Sequence, residues 1–86
     1  VASVAEVKAA IDAAIAVVDE VQAAVQAAGE KVAEAQQSFA AAVDGSGHEA
    51  VAAAQAALTQ AATELDECLA ATVSVVEQAR TYLSGL

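Results

Sequence analysis

Apolar residues recur at every seventh position through the first half of the chain: Val4, Ile11, Val18, Val25, Val32 and Phe39. A second series follows three residues behind: Val7, Ala14, Val21, Ala28, Ala35 and Ala42. Alternating steps of three and four lay both series along one stripe of an α-helix, as the a and d positions of a heptad. A seven-residue repeat falls short of two full turns, so packed helices of this kind twist left-handedly. The second half repeats the arrangement. Its a series is Val51, Leu58, Leu65, Thr72, Ala79 and Leu86, and its d series is Ala54, Ala61, Cys68, Val75 and Tyr82. Leu69, Val76 and Leu83 add apolar residues at the neighbouring e positions.

One short stretch, Ala40 to Gln55, divides the two arms: AAAVDGSGHEAVAAAQ. Asp44-Gly45 stops the first helix, because glycine adopts the left-handed backbone that ends helices without a Cβ penalty. Ser3 with Glu6, and Ser46 with Glu49, each have the Ser-x-x-Glu spacing of a capping box. In such a box the serine oxygen accepts from the amide three residues on, and the glutamate reaches back. Gly85 is placed to end the second helix as Gly45 ends the first. These signals predict a helix over about 4–43, a turn at 44–46 and a helix over about 47–84. At about 1.5 Å per residue the arms make a hairpin of roughly 55–60 Å. A turn this short makes the helices antiparallel neighbours. Facing residues then have numbers summing to about 90, which sets Phe39 near Val51, Val25 near Leu65 and Ile11 near Ala79. Gly29 inside the first arm points to a close helix approach or a local bend.

The predicted fold class is all-α: one domain over residues 1–86, an antiparallel two-helix hairpin of coiled-coil character. Ile15 and Val17 flank the apolar stripe of the first helix, and Leu69, Val73, Val76 and Leu83 lie across the hairpin. All six fall in the half away from the turn and exceed what a two-helix seam needs. Contiguous apolar surface of this kind marks an interface. The expected solution is a four-helix bundle, made by a homodimer or with a different helical protein.

Composition supports the helical reading and narrows the function. Alanine, the strongest helix former, fills about a third of the chain, and proline is absent. The net charge is −9, with Lys8, Lys31 and Arg80 the only basic residues apart from His48. Nucleic acid is an unfavourable partner, since binding it needs cations to displace phosphate counterions. No apolar run is long enough to cross a bilayer, so membrane insertion is not expected. No positively charged signal peptide opens the sequence, which leads to a cytoplasmic protein or one secreted without a cleaved signal.

Candidate chemistry is sparse. His48 has no ligand or acid–base partner nearby in sequence and reads as a solvated histidine near a helix start. Glu64, Asp66 and Glu67 lack the Glu-x-x-His pairs of di-metal bundles and read as a solvated face. Cys68, at a d position, reads as a buried structural thiol with no base or cation to generate thiolate. Glu6, Asp12, Asp19, Glu20 and Glu34 form an outer acidic stripe. Tyr82 reads as an anchor at the open end of the seam. The threonines lack the regular eleven-residue spacing of alanine-rich ice-binding helices. No catalytic, cofactor-binding or metal-binding residue is therefore assigned, and a non-enzymatic interaction protein is expected.

Over its whole length this acidic, Ala-rich hairpin with a glycine-containing turn resembles the small Trp-x-Gly, or ESAT-like, proteins of type VII secretion. DGSGH stands where that family has Trp-x-Gly, and Tyr82 is followed four residues on by Leu86 instead of the family's acidic residue. The GSGH turn is also similar to that of uncharacterised Ala-rich hairpin proteins of high-GC Gram-positive (actinobacterial) organisms. Both resemblances imply pairing and a role as substrate, partner or chaperone of something larger. A cytoplasmic structural or adaptor protein is the competing expectation.

Overall fold

Between its caps this chain holds no proline, and most of its residues are strong helix formers. The computed structural model describes residues 2–86. Helix α1 spans Val4–Ala42, helix α2 spans Glu49–Ser84, and the two pack against each other as a hairpin. The molecule measures 64 × 18 × 15 Å, with a radius of gyration of 19.5 Å. A compact chain of this length would have a radius near 12 Å.

The first helix starts as its sequence predicts. Ser3 has extended backbone, and its Oγ accepts from the Glu6 amide at 3.1 Å, the forward bond of the capping box. The second start differs. Helix α2 begins at Glu49, and its N-cap is His48, whose Nδ1 accepts from the Ala50 amide at 3.0 Å. Ser46 Oγ instead accepts from the His48 amide at 3.3 Å, so Ser46 and Glu49 do not form a capping box. The reason lies in the turn. Val43 to Ser46 close a four-residue turn, with the Ser46 amide donating to the Val43 carbonyl at 2.9 Å and Gly45 at φ +80°. Ser46 completes that turn and sits two residues short of the position that precedes the helix. His48 occupies it, using an imidazole nitrogen as acceptor where serine or aspartate is the usual one.

Gly45 thus takes the left-handed conformation expected of it, whereas Gly85 does not. Gly85 stays right-handed at φ −88° and ψ −6°, and its amide donates to the Tyr82 carbonyl at 3.1 Å. Helix α2 ends by tightening its last turn.

The seam between the helices departs from the predicted a/d stripe. In α1 the half-buried or buried positions are Val7, Ile11, Ile15, Val18, Gln22, Val25, Ala28, Gly29, Val32, Gln36 and Phe39, with Val43 following at the C-cap. The first predicted series is kept from Ile11 onward, while Val4 is 53% exposed. The second runs mostly four residues behind it instead of three, so Ile15 replaces Ala14 and Gln22 replaces Val21, while Val7 and Ala28 of the predicted series stay half-buried. In α2 the predicted pattern holds through Val51, Ala54, Leu58 and Ala61, with Ala62 half-buried beside it, then passes to Leu65, Leu69, Thr72, Val76, Ala79 and Leu83. In the half away from the turn each helix is rotated by about 50° from the predicted stripe, half the difference between the two flanking series. The rotation buries the larger aliphatic residues of α2, namely Leu69, Val76 and Leu83, in place of Cys68, Val75 and Tyr82. Thr72 is tolerated at the seam because its hydroxyl donates to the Leu69 carbonyl at 2.7 Å. Among the described residues Ile15 alone is buried, at 8% exposure, and no side chain is fully enclosed.

Candidate functional site

The rotation of the helices decides what the hairpin shows to solvent. Its two broad faces differ in chemistry. On one face an open groove of about 450 Å³ runs between the helices, bordered by Val25 and Gly29 of α1 and by Ala62 and Leu65 of α2. These pairings match the predicted register, in which facing numbers sum to about 90. Gln26, Glu30 and Asp66 give the groove its polar rim. Seven-residue spacing from Asp66 puts Val73 and Arg80 on the same side, and spacing from Gln26 puts Asp19 and Asp12 there.

Gly29 belongs to this groove. A Cβ built on it would meet nothing within 4 Å, so close approach of α2 is not what requires glycine there.

The opposite face carries the members of the predicted d series that lie outside the seam. Val21 is 42% exposed, Val75 52% and Tyr82 56%, and Cys68 is an exposed free thiol. Val17, 57% exposed, lies one turn before Val21 on the same side. The reading of Cys68 as buried, and of Tyr82 as an anchor inside the seam, is therefore corrected. From Val7 to Ala28 on α1 and from Cys68 to Tyr82 on α2, every position on this face is uncharged. Glu20, three residues from Val17, borders it on α1, and Lys31 and Glu64 stand at its outer edges nearer the turn.

The six residues expected to form an outer interface do not come together as one patch. Ile15, Leu69, Val76 and Leu83 line the seam inside the hairpin. Val17 lies on the charge-free side, and Val73, 44% exposed, lies on the groove side. The surface that does remain apolar is the one built on Val21, Cys68, Val75 and Tyr82. Its signal was present in the sequence as an unbroken heptad series, assigned there to the wrong side of the helix.

The remaining chemistry is dispersed. His48 is spent on the helix cap. Lys31 Nζ lies 3.2 Å from Glu34 Oε2, an exposed pair of little energetic consequence. Among the described residues no three histidine, cysteine or carboxylate side chains are grouped as metal ligands would be. Among them, too, no helix is long and apolar enough to cross a membrane. No protein-family model, curated protein or solved structure matches this chain.

Proposed function

We propose that the chain is a non-enzymatic helical interaction protein. It presents its charge-free face to another helical chain, and the two together make a four-helix bundle. The observation that carries this reading is the exposure of Val17, Val21, Val75 and Tyr82 on one side of the hairpin with no charged residue among them. Apolar surface in a continuous strip is costly in water unless it is covered. A ridge of seven-residue period fits best against another helix pair.

Within that reading, the protein is a small substrate or partner related to type VII secretion. What supports this is the antiparallel hairpin with its turn at the middle of the chain, the architecture implied by the resemblance to the Trp-x-Gly proteins. The DGSGH turn, which lacks their tryptophan, favours a second reading: a cytoplasmic adaptor or chaperone-like protein that uses the same face on a larger partner.

Affinity purification from the native cell tests the shared core of both readings. The wild type should retain a helical chain, and a Val21→Asp/Val75→Asp variant should lose it. Retention of the same chain by both proteins, or of nothing by the wild type, would refute the assignment. Appearance in the culture supernatant that depends on a type VII secretion ATPase separates secretion from the cytoplasmic role.

A further inference from the structure

The hairpin exposes 5914 Å² to solvent at a mass of 8.4 kDa. A folded monomer of that mass exposes about 4,600 Å². The excess, about 1,300 Å², exceeds the roughly 800 Å² that each partner contributes to a standard protein interface. A face 64 Å long and 18 Å wide projects about 1,100 Å², so covering one face fully would remove most of the excess. The amount of surface left open is that of one missing layer of helices.

Charge selects which face and which occupant. A chain of net charge −9 repels its own copies wherever carboxylates meet. Asp12, Asp19 and Asp66 stand on the groove side, and Glu20, Glu67 and Glu77 point away from both helices' seam. Of the two broad faces, only that of Val21, Cys68, Val75 and Tyr82 can approach a copy of itself with no carboxylate in its middle. Of the charges at its outer edges, Lys31 on α1 and Glu64 on α2 are of opposite sign and sit on opposite helices. In the register that sums to about 90 they lie within about five residues of one level, or about 7 Å along the axis. A two-fold axis parallel to the hairpin lays α1 of each copy over α2 of the other. It therefore brings Lys31 of one chain toward Glu64 of the other, twice. The exposed contact between Lys31 and Glu34 is weak enough to exchange for it.

We infer that the charge-free face is the subunit interface of a symmetric homodimer: a second copy, related by a two-fold axis along the hairpin, completes a four-helix bundle with both turns at one end. This rests on the interaction reading above and names its partner. Along such an axis each midline residue lies near its own mate, so Cys68 of one chain comes near Cys68 of the other.

Sedimentation equilibrium of the full chain is the test, read beside circular dichroism. The wild type should be dimeric at about 100 μM. Val75→Asp places two unpaired carboxylates at the axis and should weaken the dimer by about a hundredfold or more. Val73→Asp, on the groove side, should leave it within about threefold. Both residues are exposed, so helical content should stay at the wild-type level in each. A short homobifunctional maleimide should link wild-type chains through Cys68. A Val73→Cys/Cys68→Ser variant should give no such product. A wild type that is monomeric at several hundred micromolar overturns the inference, as does a Val73→Asp defect equal to that of Val75→Asp. A monomeric wild type that still captures a helical chain in the cell, and loses it on Val21→Asp/Val75→Asp, overturns the homodimer and leaves the interaction reading standing.

Discussion

The two broad faces of this hairpin are built from the same two helices and the same turn, yet they ask different things of the solvent. The groove face carries Asp12, Asp19, Asp66 and Arg80, with Val73 as its exposed large apolar residue outside the seam. The other carries Val21, Cys68, Val75 and Tyr82 with no charge across the half away from the turn. One face is finished as a surface; the other is patterned like an interior. The difference arises from a choice made at the seam. Either of two neighbouring series can pack against the opposite helix, and the series not chosen is left outside. A hairpin with apolar residues at both therefore has one seam satisfied and one still to fill.

Ile15 is the sharpest point at which to break that division, and substitution there should have the largest effect on the hairpin itself. It is the buried residue of the seam, where the predicted stripe would have used Ala14. Ile15→Ala should destabilise the fold by about 3 kcal/mol, combining lost transfer energy with the cavity left behind. Val17→Ala, two residues away and mostly exposed, should change stability by no more than about 0.5 kcal/mol when measured below the association range. Urea denaturation of both variants checks this. Equal midpoints would mean that Ile15 does not hold the seam.

The two helices, the start of α1, the turn at Gly45 and the antiparallel pairing were legible because each rests on a local signal. Heptad spacing identifies helices, and a left-handed glycine identifies the turn. The orientation of each helix was not legible, for a physical reason. Ala14 stands beside Ile15, Cys68 beside Leu69, Val75 beside Val76 and Tyr82 beside Leu83. Periodicity alone finds two adjacent apolar series in the later part of α2 and cannot rank them. Packing ranks them by aliphatic volume, and Leu69, Val76 and Leu83 win in α2, while the tyrosine hydroxyl stays in water. The cost falls on α1, which accepts Gln22, Gly29 and Gln36 at the seam. Those three argue against the stripe when α1 is read alone. The cap at His48 escaped for a different reason: serine is the commoner N-cap, but the turn consumed Ser46 before the helix began.

The two glycines of α1 and the turn sharpen the comparison at the next level of effect, because they should respond with opposite sign. Gly45 holds φ at +80°, where a Cβ is strained, so Gly45→Ala should destabilise by about 1 kcal/mol or more. Gly29 is helical and faces open groove, with nothing within 4 Å of a Cβ. Gly29→Ala should stabilise by up to about 1 kcal/mol through helix propensity alone. It should also leave sedimentation unchanged, since its methyl projects on the side away from Val75. Loss of self-association in a Gly29→Ala chain that unfolds at a higher temperature would put the partner in the groove and reverse the assignment of the two faces.

The smallest effect is expected at the cap of α2, which both faces share. His48 contributes one acceptor, Nδ1, to the Ala50 amide, and Ser46 holds the His48 amide from behind. Removing a cap acceptor typically costs about 1 kcal/mol, and histidine is a less common acceptor than serine or aspartate. His48→Ala should therefore destabilise by about 0.5–1 kcal/mol, and His48→Asn, which restores an acceptor at the same position, should recover most of it. Ser46→Ala should cost less than His48→Ala, because its bond lies in an exposed loop at 3.3 Å and satisfies no amide of the helix proper. Denaturation midpoints of the three variants at fixed slope order these effects. If Ser46→Ala proved the most damaging, the helix in solution would start at Gly47 with Ser46 as its cap. The turn would then be two residues shorter, and α2 would gain half a turn at its N-terminus.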